Sequence, residues 1–150
     1  MSYIALYYKT KIINMKRFIS FSGGVESTAM CVLYGKGATA IFCDTGSEHK
    51  EMYKRLDYVE NMLKEYHEGD FELVRIKPKK MYKGNEYNSL TDFIKASNYF
   101  PSGQRRFCTA DFKIKPIDTY LAQFEAVELL IGLNSEEKDR KGNHLKGENI

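Results

Sequence analysis

The sequence has few cysteines, and none of them is placed to build a metal cluster or a disulfide framework. Cys31, Cys43 and Cys108 are odd in number and widely spaced, and no two of them form a C-x-x-C pair. This spacing argues against disulfides, a zinc ribbon and an iron–sulfur (Fe-S) cluster. We therefore predict reduced thiols and a cytoplasmic protein.

Long hydrophobic runs and a large excess of one charge are also absent. No apolar run approaches the ~20 residues that a membrane-spanning helix needs, and residues 1–16 lack the apolar core of a signal peptide. The formal net charge of +3 is too small to indicate nucleic-acid binding by itself. The composition predicts one domain, residues 1–150, without membrane contact, whose polar end from about residue 135 is disordered or truncated.

Apolar patterning alternates between strand and helix along the chain. Strands are predicted at residues 17–22, 39–43, 71–76 and 126–133, and helices at residues 26–34, 50–66, 90–97 and 117–124. Residues 77–87 are predicted to form a loop, and Lys115 is predicted to lie outside the helix that Pro116 opens. The order predicts an α/β, three-layer α/β/α fold with a mostly parallel sheet, which binds ligands at the carboxyl ends of its strands.

A glycine-rich segment, the glycine loop (residues 22–28), joins the first predicted strand to the first predicted helix. Adjacent glycines let the backbone turn sharply, and the helix N-terminus adds unpaired amides and the positive end of its dipole. The segment therefore suits a pyrophosphate; the alternative is a tight turn in which Ser27 caps the helix. The predicted nucleotide-binding residues of this segment are Ser22, Gly23, Gly24, Val25, Glu26, Ser27 and Thr28.

Four motifs occur in the same order as in a known family. The glycine loop is similar to the S-G-G-x-D-S signature of the PP-loop superfamily, the adenine nucleotide alpha-hydrolase-like proteins, and within it to the phosphoadenosine phosphosulfate (PAPS) reductase-like branch. Asp44-Thr45-Gly46 resembles the D-T-G segment of that branch. Two further segments of this chain are similar to the R-x-C…K…P and I-G…R segments of that branch. Their matching residues are Arg106, Cys108, Lys113, Lys115, Pro116, Ile131, Gly132 and Arg140.

The resemblance implies a PP-loop fold that binds an adenine nucleotide, either ATP or PAPS. It implies that the glycine loop holds phosphates and that Asp44, Thr45 and Gly46 lie beside the adenosine. It also implies that the basic segment of residues 106–115 faces the sulfate or phosphate end of the nucleotide. On this basis Lys113 and Gly132 are predicted to bind nucleotide, and Lys115 and Arg106 are the predicted catalytic residues.

Some residues keep two interpretations. Glu26, where the superfamily has Asp, either takes part in Mg²⁺ binding or favours the helix dipole. Asp44 either binds ribose or metal, or caps a turn. Cys108 is either a nucleophile among cations or a half-buried small residue. No cysteine follows it, whereas sulfonucleotide reductases carry a catalytic cysteine near the C-terminus. Surface positions without metal ligation are expected for His49, His67 and His144.

Three functions stay open at this point. The first is a nucleotide-dependent enzyme that transfers an adenylyl group or a sulfur-related group, with PAPS reduction as the variant that the missing cysteine weakens. The second is a non-catalytic nucleotide-binding module. The third is a nucleic-acid-modification subunit whose basic run contacts the backbone, although such a run is more often a solvated loop. A partner protein and an oligomer also stay open. The basic run comprises Lys77, Lys79, Lys80 and Lys83.

Overall fold

Seven strands and five α-helices form the part of the protein that the computed structural model describes, residues 3–9, 15–103 and 106–133. The strands are β1 (Tyr3–Lys9), β2 (Lys16–Ser20), β3 (Ala38–Cys43), β4 (Phe71–Ile76), β5 (Lys80–Tyr82), β6 (Asn85–Tyr87) and β7 (Val127–Leu133). The helices are α1 (Val25–Tyr34), α2 (Lys50–Tyr66), α3 (Leu90–Ser97), α4 (Phe107–Thr109) and α5 (Lys115–Leu121), with a π-helical segment (Ala110–Ile114) between the last two.

The central sheet has the order β1-β7-β2-β3-β4. Strands β7, β2, β3 and β4 are parallel, and β1 runs antiparallel to β7, with Tyr3 opposite Leu133 and Lys9 opposite Val127. The predicted mostly parallel sheet is therefore confirmed. Strand β1 was not predicted, because a backbone-paired edge strand needs no strong alternation of apolar residues.

Both faces of the parallel strands are buried, which explains why they read as short apolar runs. On one face Ile19 and Phe21 pack with residues of α1 and α2, such as Met30 and Leu56. On the other face a second core forms against α5, and it contains Phe18, Ile41, Val127, Ile117 and Leu121. Helices thus cover both sides of the sheet, and the three-layer α/β/α prediction is confirmed.

The predicted loop at residues 77–87 is wrong, because this segment forms the antiparallel hairpin β5–β6. Its turn contains Lys83 and Gly84, both at positive φ (48° and 80°). Four aromatic rings of the hairpin and the later helical run surround buried Phe93 of α3, at ring-centroid distances of 5.5–6.0 Å. This aromatic cluster stabilises strands too short to hold by themselves. Its outer rings are Tyr82, Tyr87, Phe107 and Phe112.

The predicted exclusion of Lys115 from the helix is also wrong. Lys115 has helical angles (φ −55°, ψ −44°), and α4, the π-helical segment and α5 follow one another without a break. Pro116 has no amide hydrogen to donate to the carbonyl of Phe112, one helical turn earlier. The Cys43 thiol of β3 donates to that carbonyl instead, at 2.9 Å. The helical run continues through Lys115 because tertiary contacts outweigh the local preference of a residue before proline.

His67, at the end of α2, was expected at the surface but is buried. His67 is only 5% exposed, and its Nε2 lies 2.8 Å from the carbonyl oxygen of Cys31 in the last turn of α1. The surface prediction for His67 is therefore wrong, because the orphaned carbonyls of a helix end need donors. His49 is exposed at the N-cap of α2. The predictions for His144 and for the chain from about residue 135 lie outside the described residues.

Two cysteines occupy the core, as predicted. Cys31 and Cys43 are buried, and burial raises the pKa of Cys31 to about 12 and that of Cys43 to about 11. Cys108 is half-buried in α4, which agrees with the less reactive of its two interpretations. Within the described ranges, no helix has the length and apolar character needed to cross a bilayer.

We predict that Gly35→Ala destabilises the fold by about 2–3 kcal/mol, because the new methyl group overpacks the end of α1. A Cβ on Gly35 would lie 2.1 Å from the Cys31 carbonyl oxygen and 2.6 Å from His67 Nε2. Urea unfolding followed by circular dichroism measures the change. Gly103→Ala is the control, because nothing lies within 4 Å of its added Cβ. Equal stabilities of the two variants would contradict the prediction.

Candidate functional site

The strand order reverses at β2, which is the position where parallel sheets form a ligand crevice. From β2 the chain proceeds to β3 and then β4 on one side, and β7 returns to the other side of β2. A crevice forms at the carboxyl ends of strands where their connections part in this way. The glycine loop leaves β2 at this point and enters α1 at Val25, which is 73% exposed. The motif found in the sequence and the crevice expected from the topology therefore coincide.

The backbone of the glycine loop turns at two glycines. Gly23 has φ +75°, in the left-handed region that favours glycine, and buried Gly23 is followed by Gly24 at the N-cap of α1. Gly24 makes no side-chain cap hydrogen bond, and its carbonyl accepts the first helical bond from Thr28 N–H at 3.0 Å. The Gly24 amide donates to Ser22 Oγ at 3.4 Å. The amides of Val25, Glu26 and Ser27 have no acceptor among the described residues, so these three are available to an anion.

Hydroxyl groups support this bend from inside. Ser27 is 4% exposed, its Oγ donates to the Gly24 carbonyl at 3.1 Å, and it accepts from the Ser22 amide at 3.2 Å. Thr28 Oγ1 also donates to the Gly24 carbonyl, at 2.8 Å. The alternative in which Ser27 caps α1 is wrong, since Gly24 is the N-cap. Direct phosphate binding by the Ser22, Ser27 and Thr28 hydroxyls stays a prediction.

Gly132 lies on β7 against the first turn of α1. A Cβ at Gly132 would be 3.0–3.2 Å from the backbone carbon, the carbonyl oxygen and the Cβ of Glu26. The absence of a side chain therefore lets α1 pack closely on β7. Glu26 is half-buried in the first turn, with its carboxylate beside Gly24. This position suits a negative charge at the positive end of the helix dipole, and a role of Glu26 in Mg²⁺ binding stays a prediction.

The D-T-G loop (residues 44–46) follows β3 at the same edge of the sheet. Asp44 Oδ1 accepts from the Gly46 amide at 2.9 Å and from the Tyr53 hydroxyl at 2.8 Å. The turn-capping interpretation of Asp44 is thus confirmed, and within residues 15–103 and 106–133 its Oδ2 has no hydrogen-bond partner. Gly46 has φ +67°, and a Cβ there would lie 2.9 Å from Ser89 Cβ at the start of α3. Close packing therefore requires glycine at this position.

Thr45 fixes the D-T-G loop to its surroundings. It is 3% exposed, its hydroxyl donates to Glu48 Oε1 at 3.1 Å, and its carbonyl accepts from the Leu90 amide of α3 at 2.8 Å. These contacts give Thr45 a structural role, and nucleotide binding by Thr45 stays a prediction. The sequence pattern did not identify Tyr53, although its position in the first turn of α2 after D-T-G was readable.

The basic residues lie on the π-helical side of the sheet edge. Arg106 is exposed at the N-cap of α4, and exposed Lys113 is close enough to β3 that its charge opposes the burial-induced rise in the pKa of Cys43. The Lys115 ammonium donates to Asp111 Oδ1, and Lys80 donates to Asp111 Oδ2 at 2.6 Å. Throughout residues 15–103 and 106–133, no hydrogen bond or ion pair joins Arg106 or Lys115 to the glycine loop.

Among the described side chains, no group of three or more His, Cys, Asp or Glu residues is arranged to hold a metal ion. Glu26 lies in the first turn of α1, after β2, and Asp44 directly follows β3. Magnesium is commonly held by one or two protein carboxylates together with substrate phosphates. The residues present therefore fit a cation that arrives with a nucleotide, and Mg²⁺ binding stays a prediction.

Comparison with known families gives one finding. The family model described as phosphoadenosine phosphosulfate reductase domain matches residues 16–145. The match covers most of the 150 residues, so the chain belongs to this family, within the PP-loop, adenine nucleotide alpha-hydrolase-like superfamily. Searches of curated proteins and of solved structures gave no match. The resemblance drawn from the motifs is thus confirmed.

We predict that the stabilising effect of Asp111 disappears in acid. Partial burial raises the pKa of Asp111, but hydrogen bonds from Lys115 and Lys80 outweigh it and hold the pKa below its ordinary value. A lowered pKa stabilises the fold above the ordinary value of about 3.9, and this stability is lost as pH falls through the folded-state pKa. Urea unfolding should show a deficit for Asp111→Asn at pH 7 that shrinks toward pH 2.5. Exposed Glu125→Gln is the control, and a deficit that grows in acid would contradict the assignment.

Proposed function

We propose that this chain, as a member of the phosphoadenosine phosphosulfate reductase domain family, binds the polyphosphate of an adenine nucleotide at the N-terminus of α1. One observation carries the proposal: Gly24 is an N-cap without a side-chain cap, at the point where the strand order reverses. Unpaired helix amides and the positive end of the dipole are the features that bind phosphate at helix N-termini.

The reaction that best suits this arrangement is adenylyl transfer from ATP. An acceptor oxygen attacks the α-phosphorus, the bond from that phosphorus to the α,β-bridging oxygen breaks, and pyrophosphate leaves with the electron pair. Amides of the glycine loop would stabilise the charge that develops on the leaving pyrophosphate. Glu26 would help to hold Mg²⁺, which would supply positive charge to the phosphates.

The two predicted catalytic residues, Arg106 and Lys115, differ in their ion pairing. Arg106 is exposed and has no ion-pair partner among the described residues, so it is available to the nucleotide. Lys115 is 70% exposed at its side chain but is paired with Asp111. Because Asp111 also accepts from Lys80, Lys115 can exchange this partner for a phosphate oxygen without leaving Asp111 unpaired.

Thiol-based PAPS reduction has less support than adenylyl transfer. A thiol attacks as its thiolate, and burial holds the pKa of Cys31 near 12 and that of Cys43 near 11. Neither residue therefore provides a nucleophile at neutral pH. Half-buried Cys108 has a long contact with Thr109 Oγ1, at 3.9 Å. PAPS remains a ligand to be compared with ATP.

We predict that Gly23→Ala weakens ATP binding at least tenfold, because a Cβ disfavours the left-handed conformation that directs the loop amides. The added Cβ would also lie 2.7 Å from Met52 Sδ. Gly84→Ala is a matched control, since Gly84 has φ +80° but lies in the β5–β6 turn with open space around it. Isothermal titration calorimetry with ATP measures both variants. Equal affinities in the two variants would count against the glycine loop as the phosphate site.

We further predict that the wild-type chain releases pyrophosphate from ATP and that Lys115→Ala slows the release at least tenfold, through loss of a charge-assisted contact to phosphate. A coupled pyrophosphate assay on ATP, with PAPS titrated in parallel, measures this. Lys64→Ala is the control, because Lys64 pairs with Glu60 on α2. Binding of PAPS together with no pyrophosphate from ATP would contradict adenylyl transfer.

A further inference from the structure

We propose that Tyr53 is a positioning residue for nucleoside recognition: it orients the Asp44 carboxylate, which accepts a hydrogen bond from a ribose hydroxyl of the nucleotide. The proposal rests on the proposed function, because it takes the glycine loop as the site of the phosphates. It selects ribose from the ligands left open for Asp44, and it adds Tyr53, a residue that the sequence motifs did not contain.

The first step is the hydrogen bonding of Asp44. Its Oδ1 accepts from two donors, the Gly46 amide at 2.9 Å and the Tyr53 hydroxyl at 2.8 Å. A carboxylate has about four acceptor positions over its two oxygens. Among the described residues Oδ2 has no hydrogen-bond partner, and Asp44 is half-buried. Asp44 therefore has a fixed orientation and an unused oxygen.

The second step is the origin of the two donors. Turn capping needs only the Gly46 amide, which belongs to the same turn as Asp44. Tyr53 comes from α2, and its ring packs against the core beneath α1 and α2. Its hydrogen bond to Asp44, followed by burial, raises the pKa of Tyr53 to about 12, so the phenol stays a donor at neutral pH. A second element thus fixes the rotation of a carboxylate that is already capped.

The third step is location. Ser20 of β2 pairs with Ile41 of β3, and the Phe21 amide donates to the Ile41 carbonyl at 2.9 Å, so the two strands end side by side. Adjacent strands lie about 4.8 Å apart. A ribose is joined directly to the α-phosphate, so a nucleotide held at the glycine loop reaches Asp44 across one strand spacing. On the opposite side, contact between Gly132 and Glu26 closes the space.

The fourth step is charge. The D-T-G loop and the turn after it carry the carboxylates of Asp44 and Glu48, and Glu48 already accepts from Thr45. The Lys113 ammonium lies near the end of β3, on the side of Cys43. Carboxylates repel phosphates and attract hydroxyl or amino donors, so the nucleotide is oriented with its phosphates at the helix N-terminus and its neutral nucleoside toward Asp44. Two nucleoside donors then compete for the assignment, a ribose hydroxyl and the exocyclic amine of adenine.

The experiment measures affinities by calorimetry for ATP, 2′-deoxy-ATP, 3′-deoxy-ATP, ITP and pyrophosphate. A hydrogen bond to a charged acceptor contributes about tenfold, so wild type should bind ATP about tenfold more tightly than one of the two deoxy analogues. In Tyr53→Phe this ratio should approach one, while pyrophosphate affinity stays unchanged. Tyr58→Phe, an exposed tyrosine on the same helix, should behave as wild type.

A second variant, Asp44→Asn, keeps the size of the side chain and should also bring the ratio toward one, which preserves the test if Tyr53→Phe does not fold. If the ratio of affinities for ATP and the deoxy analogue is unchanged in both variants, the proposal is overturned. Equal losses of affinity for ATP and for pyrophosphate in Tyr53→Phe would also overturn it. If wild type binds ITP more weakly than ATP but binds both deoxy analogues as tightly as ATP, Asp44 recognises the adenine amine and not the ribose. That result would also overturn the proposal. If wild type binds neither ATP nor pyrophosphate, the proposed function itself fails.

Discussion

The central constraint on this molecule is the position of β2 between β3 and β7 in a parallel sheet. It puts the segments that follow β2 and β3 next to each other at one edge, and it puts the first turn of α1 against β7. Two glycines permit this arrangement for different reasons: Gly23 supplies a left-handed turn, and Gly132 lets two backbones approach. The unpaired amides at the start of α1 follow from this geometry.

A second unit carries the basic residues to the same edge. The aromatic cluster around Phe93 joins α3, the β5–β6 hairpin and the π-helical segment, and the bond from the Cys43 thiol to the Phe112 carbonyl ties that segment to β3. Lys113 lies near the end of β3 for this reason, and Asp111 holds Lys80 and Lys115. The acidic and basic sides of the candidate site are therefore built by different parts of the chain, which meet at β3.

The sequence revealed those parts of the molecule in which a local pattern is sufficient. The glycine loop and the sheet strands at residues 71–76 and 39–43 were readable, since glycine pairs and continuous apolar runs report local conformation and burial. The β5–β6 hairpin, the helical state of Lys115 and the burial of His67 were not, because each depends on a partner distant in sequence: Phe93, Cys43 and the end of α1. Tyr53 was missed although it lies only nine residues after Asp44, because its hydrogen bond to Asp44 depends on how the first turn of α2 lies beside the D-T-G loop.

The account therefore depends on whether the amides at the start of α1 contact an anion. Amide chemical shifts in a ¹⁵N-labelled sample, recorded while pyrophosphate is added, test this most directly. The account predicts concentration-dependent shifts at Gly23, Gly24 and the first-turn amides of α1, with Gly69 and Gly84 unaffected. Shifts confined to the β5–β6 hairpin, or no shifts at millimolar pyrophosphate, would contradict it.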